Sequence, residues 1–392
     1  MNQHFDAIIV GGGMVGSALA AALGHGGFSV ALVESGSEPG AVEDDTFDLR
    51  VSSLNLAAQR LLESVGAWSH IPAERRCIFR HIHAWDISGH GETHFDAAAL
   101  GLDDFGSFVE NRVIRRALWR SLASLPDVEP ICRARPLAML TGSERVLVEL
   151  DNGRMLSGSL VVGADGARST IRELASIDVD TLDYEQRALI VNVVTQLPQQ
   201  DVSWQRFTPE GPQAMLPLPG PHASLVWYGE PEATREREAL SDEALRQAIE
   251  REFPARLGGL KEVTGRASFP IRRQHARHYT APRLALVGDA AHVIHPLAGQ
   301  GLNLGLQDVT ALADLLATAH QPGRDLGAPG PLRRYAWQRR PQTLAMIAAT
   351  EAFHRIFTGN PMLRSAGAVG LAVAERLGPA KQFMMRRALG LQ

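Results

Sequence analysis

The segment from Asp6 to Gly16, DAIIVGGGMVG, limits the fold more than any other part of the chain. Asp6 to Val10 is short, apolar and β-branched, which reads as a buried strand. Met14 to Gly24 places Ala and Leu at helical spacing, and Ser29 to Glu34 (SVALVE) reads as a second strand. Strand, helix and strand in this order make a β-α-β unit, because parallel neighbours require a crossover. The turn fits G-x-G-x-x-G with Gly11, Gly13 and Gly16. The first glycine permits the tight turn, the second lets the main chain approach a pyrophosphate, and the third lets helix and strand pack closely. The helix N-terminus then turns unpaired N–H groups toward the phosphates. Glu34 ends the second strand 18 residues after Gly16. A carboxylate there accepts ribose hydroxyls and disfavours a 2′-phosphate, and so NADP, at this site. An ordinary tight turn needs the glycines but not the acid. The pattern therefore predicts a Rossmann-type α/β domain that holds a dinucleotide.

With 392 residues, 45% hydrophobic and 21% charged, the chain has room for roughly two or three core-bearing units. A formal net charge of -4 predicts no nucleic-acid partner. Cys77 and Cys132 are far apart, which predicts neither a disulfide framework nor a thiolate metal cage, and a reducing compartment. His81, His83, His90 and His94 cluster in sequence without any cysteine, so no metal is expected there. Ala7 to Leu23 is long and apolar, but its glycines and the lack of a preceding basic stretch predict a strand-turn-helix rather than a signal or membrane segment.

Further along, Leu54 to Val65 and Asn111 to Leu122 read as helices, and Ile78 to Phe95 as strand. Val146 to Leu150 and Met155 to Val162 predict a hairpin turning at Asp151-Asn152-Gly153. Leu189 to Gly229 mostly alternates, which predicts an antiparallel sheet with one covered face. Gln321 to Pro331 (QPGRDLGAPGP) is a Gly/Pro linker, and an Ala-, Leu- and Arg-rich tail of helices follows. From Pro331 onward ten Lys/Arg face two acids, a net +8 on a chain that totals -4, so the remainder carries -12.

Two later segments bear on which dinucleotide is meant. Leu284 to Asp308 reads LALVGDAAHVIHPLAGQGLNLGLQD, and Gly163 to Ser169 reads GADGARS. Each puts an Asp after an apolar strand, far from the first motif. FAD outreaches its adenosine half, and its ribityl chain and ring need a second anchoring strand. Asp289 is placed to accept ribityl hydroxyls, and the glycines from Gly299 to Gly305 allow close main-chain approach to a flat ring.

G-x-G-x-x-G, then Gly163-Ala164-Asp165-Gly166, then Gly288 to Asn303, in that order, resemble the flavin-dependent aromatic hydroxylases of the p-hydroxybenzoate hydroxylase fold. Within them the chain is similar to the ubiquinone-biosynthesis hydroxylases, through Asp48 to Asn55 (DLRVSSLN), Val109-Glu110-Asn111 and Ala388-Leu389-Gly390-Leu391. Ser203 to Pro212 (SWQRFTPEGP) and Ser224 to Tyr228 (SLVWY) look most like the branch that acts on demethoxyubiquinol. The resemblance spans nearly the whole chain. It implies an FAD-binding domain of 1–72, 98–178 and 276–320, an inserted antiparallel substrate sheet of 73–97 and 179–275, and a C-terminal helical region of 321–392. It implies FAD held by Gly11, Gly13, Gly16, Glu34, Arg50, Asn111 or Arg112, Asp165, Gly288 and Asp289. Pro296, Gly299, Gln300, Gly301, Leu302 and Asn303 would lie against the flavin ring.

The implied reaction is hydroxylation of a polyprenylated benzoquinol, in that branch 2-polyprenyl-3-methyl-6-methoxy-1,4-benzoquinol, with O2 as co-substrate and a flavin C4a-hydroperoxide as oxidant. Pro296 and Gly299 border the reacting face, and Tyr228 is the candidate base for the phenolic proton. Another ring carbon or aromatic substrate stays open, as does a mainly structural flavoprotein subunit. The electron donor, NAD(P)H included, and the oligomeric state also stay open. A water-insoluble tail implies either other ubiquinone-biosynthesis proteins as partners or a cytoplasmic protein resting on the inner face of the membrane. The basic tail suits such a surface. Its charges include Arg333, Arg334, Arg339, Arg340, Arg364, Arg376, Lys381, Arg386 and Arg387, with Leu371, Val373, Leu377, Phe383 and Met384 as apolar neighbours.

Overall fold

The computed structural model describes residues 4–42, 46–88, 91–296, 299–319, 325–359 and 361–376, with residues 382, 385 and 389. His90, Leu377, Lys381, Phe383, Met384, Arg386, Arg387 and most of the closing Ala-Leu-Gly-Leu motif lie outside them.

The chain opens with β1 (His4–Val10), α1 (Met14–His25) and β2 (Val30–Glu34), then β3 (Val51–Asn55) and α2 (Leu56–Ser64). β4 (Cys77–Phe79), β5 (His81–Asp86), β6 (Glu92–Asp96) and β7 (Gly106–Glu110) lead to α3 (Asn111–Leu122) and β8 (Val128–Cys132). β9 (Pro136–Thr141), β10 (Val146–Leu150), β11 (Met155–Gly163) and α4 (Thr170–Leu174) complete the first half. The second half holds β12 (Val179–Thr195), β13 (Val202–Thr208), β14 (Gly211–Pro217), β15 (His222–Gly229), α5 (Pro231–Ala239), α6 (Asp242–Glu252) and β16 (Leu260–Ala276). It ends with β17 (Thr280–Ala281), β18 (Leu284–Leu286), β19 (His292–Val293), α7 (Gly301–Ala319), α8 (Pro329–Thr358) and α9 (Pro361–Arg376).

These strands form three sheets among the described residues. In the first, β18, β11, β1, β2 and β8 run parallel in that order, with β9 and β10 as an antiparallel flap. Its central strands are buried on both faces, which explains the unbroken runs Ala7–Val10 and Leu160–Val162. The consequence for function is placement. The C-terminal ends of β1, β11 and β18 lie side by side, so the three glycine motifs of the sequence meet on one edge. Ligands of open α/β sheets bind at such an edge.

The second sheet runs β19-β16-β12-β15-β14-β13-β5-β6. Segment 73–97 divides: β5 and β6 join this sheet, β5 pairing parallel with β13, whereas β4 pairs with β7. Its outer face (Leu189, Val191, Leu225, Trp227) packs with Leu245 and Ile249 of α6. Its inner face carries Ala188, Ile190 and Asn192, paired across to Tyr228, Val226 and Ser224. Asn192 Nδ2 donates to the carbonyls of Phe47 (3.0 Å) and Asp48 (3.1 Å), which turns this face toward the loop before β3.

Candidate functional site

The first turn behaves as its spacing requires. Gly11 has φ +110°, where L side chains are strained, and a Cβ on it would stand 2.3 Å from the Ala164 carbonyl oxygen. On Gly16 a Cβ would stand 1.9 Å from the Gly11 oxygen, so that glycine serves helix–strand contact. Gly13 differs: a Cβ there would meet nothing within 4 Å. Protein packing does not demand a glycine at that position, whereas a phosphate lying on the main chain does. Gly301, first residue of α7, is equally open. The N–H groups of that first turn have no helical carbonyl behind them and are free to meet an acceptor.

Glu34 closes over the same turn. Its Oε2 accepts from Gly12 N–H (2.8 Å) and its Oε1 from Gly36 N–H (2.7 Å). Ser35 Oγ also donates to Oε1 (3.3 Å). An ionised carboxylate has about four acceptor positions, so one remains for a ribose hydroxyl. Two residues of α3 that the sequence reading missed brace the turn from the other side. Arg115 Nε and Trp119 Nε1 both donate to the Gly12 carbonyl at 2.9 Å, and Arg115 stands 3.6 Å from Glu34. Their i, i+4 spacing was the available signal.

The second anchor is the turn after β18. Gly288 (φ +59°) bends the chain, packs its Cα against Val15, and donates its N–H to Asp308 Oδ2 (3.0 Å). Asp289 is exposed to solvent, in a setting that still strips part of its carboxylate hydration. That partial desolvation raises its carboxyl above the ordinary range, against the pull of His292 and Arg50. Hydroxyl donors would favour its ionised form. Asp308 is fully buried and also accepts from His292 Nε2 (2.6 Å) and Arg339 Nε (2.7 Å). Burial opposes its charge, but His292 and Arg339 hold its carboxyl below the ordinary range. Tyr335 adds a bond from its hydroxyl to the Leu286 carbonyl (2.8 Å). The turn bearing Asp289 is thus tied to α7 and α8.

The third wall is the small sheet. β3 pairs with β7, which sets Arg50 beside Asn111; Asn111 N–H donates to the Arg50 carbonyl (2.8 Å), and Ser52 Oγ donates to Asn111 Oδ1 (2.6 Å). Asn303 clamps α7 to β3 by donating to the Ser53 carbonyl (2.8 Å) and accepting from Asn55 N–H (3.2 Å). Its side chain is therefore a brace, and what it can offer a ligand is main chain. Pro296 accepts from Gly299 N–H (3.2 Å), and Gly299 (φ +63°) starts the approach to α7 past a half-buried Gln300 and Leu302.

Three of the residues named from the sequence have surroundings that the sequence did not show. Arg112 bonds to Glu110 Oε1 (3.0 Å) and to the Thr46 carbonyl, so the α3 cation that meets the glycine turn is Arg115. Asp165 accepts from Ser169 Oγ and from Ile171 N–H (3.1 Å); its carboxylate caps α4 and holds the turn beneath Gly11. Tyr228 is buried, and burial raises its phenol well above the ordinary value, which disfavours the phenolate a base would need. Around the inner sheet face, Ser224 Oγ and Asn192 Oδ1 are buried without a hydrogen-bond partner among the described residues. Histidines His83 and His94 stack face to face at 3.6 Å beside Glu92, with Arg256 on His83 Nδ1. One ligand atom each of His83, Glu92 and His94 lies within 4.8 Å of the others, close enough to share a metal ion, contrary to the expectation from sequence, although Arg256 occupies His83 Nδ1.

A parallel sheet edge with an open glycine turn, an acid closing over it and a second Asp turn has the layout of a flavoprotein of the monooxygenase fold. Structural comparison agrees: PqsL of Pseudomonas aeruginosa, described as a probable FAD-dependent monooxygenase, superposes with a TM-score of 0.78 at 26% identity, over 94% of this chain and 100% of that one. Residues 4–350 match the family described as FAD binding domain. The 3-demethoxyubiquinol 3-hydroxylase of Escherichia coli is 39% identical over 391 residues, 100% of both chains. The ubiquinone hydroxylase UbiL of Rhodospirillum rubrum is 39% identical over 98% of this chain and 89% of its own. The chain belongs to the FAD-dependent hydroxylase family of these relatives, and its cofactor is FAD.

Proposed function

We propose that this chain hydroxylates the ring of a polyprenylated benzoquinol in ubiquinone biosynthesis, with demethoxyubiquinol as its substrate. What carries the reading is full-length likeness to a 3-demethoxyubiquinol 3-hydroxylase. The apolar inner sheet face supports it, because it carries a few unpartnered polar atoms, Ser224 Oγ and Asn192 Oδ1, suited to orienting a substituted ring.

In this reading Gly11, Gly13 and Gly16 receive the FAD pyrophosphate, Glu34 the adenosine ribose and Asp289 the ribityl hydroxyls. Arg50 and Asn111 border the cofactor, and Pro296 to Asn303 supply the surface under its ring. Reduced FAD supplies the oxygen-activating chemistry. The chain positions the ring carbon, excludes water and holds the ring hydroxyls, and no side-chain nucleophile is required.

A cavity of about 470 Å³ between α8 and α9, lined by Ala348, Ala352, Ile356 and Leu363 with Glu351 and Arg355 at its wall, offers mostly apolar volume for a prenyl tail. Met362, Leu363, Val369 and Val373 of α9 are exposed, which supports contact with a lipid surface. None of the described helices is long and apolar enough to cross a membrane. The deciding test is the quinone profile of a deletion strain. Accumulated demethoxyubiquinone supports the reading, and a different intermediate moves the reaction to another ring carbon. An unchanged quinone pool sinks it, and rescue by a flavin-free variant makes the protein a structural subunit.

A further inference from the structure

His295 has an anomaly that packing does not explain. It is fully buried, and neither ring nitrogen has a hydrogen-bond partner among the described residues. A buried polar group left unmatched is costly, so each such group calls for an explanation. The position is specific. His295 lies two residues after the end of β19, on the segment that carries Asp289, and directly precedes Pro296. Its ring lies parallel to Tyr228 (5.6 Å, 8°), meets Tyr184 edge-on (4.8 Å, 83°) and leans on His354 (5.1 Å, 39°). Tyr184 Oη and His354 Nδ1 are buried and equally unpartnered among the described residues. Polar atoms from β12, α8 and the segment after β19 thus converge without satisfying one another.

We propose that His295 is the ring-hydroxyl acceptor of the substrate site, taking a hydrogen bond from a phenol or quinol O–H inside a cage formed with Tyr184, Tyr228 and His354. This rests on the aromatic hydroxylase reading above and adds the residue that recognises the hydroxyl. Desolvation, with His354 as a smaller cause, lowers the His295 pKa to about 3. The imidazole is therefore neutral at working pH and keeps a lone pair. A neutral acceptor flanked by aromatic rings suits a neutral phenolic donor; a carboxylate or phosphate would need a positive charge there. An O–H held on that lone pair leaves more electron density on the ring carbons ortho and para to it, the ones an electrophilic oxygen attacks.

The test uses the FAD-loaded protein, oxidised and without any electron donor, so that nothing turns over. Two soluble probes, a short 2-prenylphenol and its methyl ether, are titrated against the flavin absorbance. Wild type is expected to prefer the phenol. His295→Phe keeps an aromatic ring but removes both nitrogens. It should bind the phenol about tenfold more weakly, which corresponds to about 1.4 kcal/mol. Ether affinity should stay unchanged, and the Tm should not fall, because the variant removes unmatched polar atoms. His295→Leu serves the same comparison if the Phe variant does not retain FAD. Equal affinity of wild type for both probes overturns the inference. So does a variant that keeps the phenol preference, or one that loses both probes equally with a lowered Tm, the mark of a structural histidine. Wild type that binds neither probe fails the functional reading itself, and the inference with it.

Discussion

Replacing Asp308 by Asn removes one negative charge from a fully buried site and leaves its shape almost unchanged. The carboxylate accepts from Gly288 N–H, His292 Nε2 and Arg339 Nε. Arg339 is only 2% exposed and also donates to the Leu304 carbonyl (3.2 Å). Without the carboxylate its charge stays buried and uncompensated. Breaking a buried pair from one side costs about 3–5 kcal/mol. Unfolding entropy of roughly 2.1 cal/mol/K per residue gives about 0.8 kcal/mol/K for this chain, so Tm should fall by about 4–6 °C. The loss should not be confined to stability. The bond to Gly288 sets the turn that presents Asp289, so the variant should also release FAD more readily. Thermal melts of holoprotein, with flavin absorbance after dialysis, measure both effects. The double variant Asp308→Leu/Arg339→Met should recover part of the stability, because no unpaired charge remains inside. An Asp308→Asn protein that melts with wild type and keeps its flavin would refute the reasoning.

Asp289→Ala should give protein that is colourless or easily stripped of flavin while its Tm as apoprotein stays close to wild type; full yellow occupancy through dialysis would contradict the assignment. Acid should destabilise the fold well before its carboxylates titrate. Burial holds His275 at about 4 and His295 at about 3, whereas unfolded histidine titrates near ~6.5. Both folded values are depressed, so their contribution is complete above ~6.5 and is lost as pH falls toward the folded values, at up to ~1.4 kcal/mol per pH unit for each. A Tm that is flat from about pH 7 to pH 5 would remove this account. Anionic vesicles at low salt should co-sediment the protein, less so for Val369→Glu/Met362→Glu or for Arg386→Glu/Arg387→Glu. A folded, flavin-loaded protein that ignores such vesicles points instead to delivery of the substrate by another protein.

Much of the candidate cofactor site could be read along the chain because its parts are local. A strand, a glycine turn and a helix N-terminus form one contiguous unit, so Gly11, Gly13, Gly16 and Glu34 are linked by spacing alone. The Gly288-Asp289 turn and the glycines before α7 are likewise a single run of sequence. Tertiary structure decided the rest, through partners distant in sequence. Asp308 and Arg339 lie 31 residues apart, Asn303 and Ser53 lie 250 apart, and Arg115 reaches back 103 residues to Gly12. Spacing carries no trace of such pairs. Burial also decided what individual side chains can do. Asp165 and Asp289 read alike in sequence, each following a strand. Folding gives one to Ser169 and the Ile171 amide as a cap, and leaves the other facing the cleft. Sequence offered Tyr228 as a candidate base and gave His295 no role. Only the packed inner sheet face shows that burial raises the phenol above its ordinary value, while the imidazole beside it is buried with no described partner. A side chain's chemistry is set by its dielectric surroundings and by which partners reach it, and both exist only once distant segments have packed.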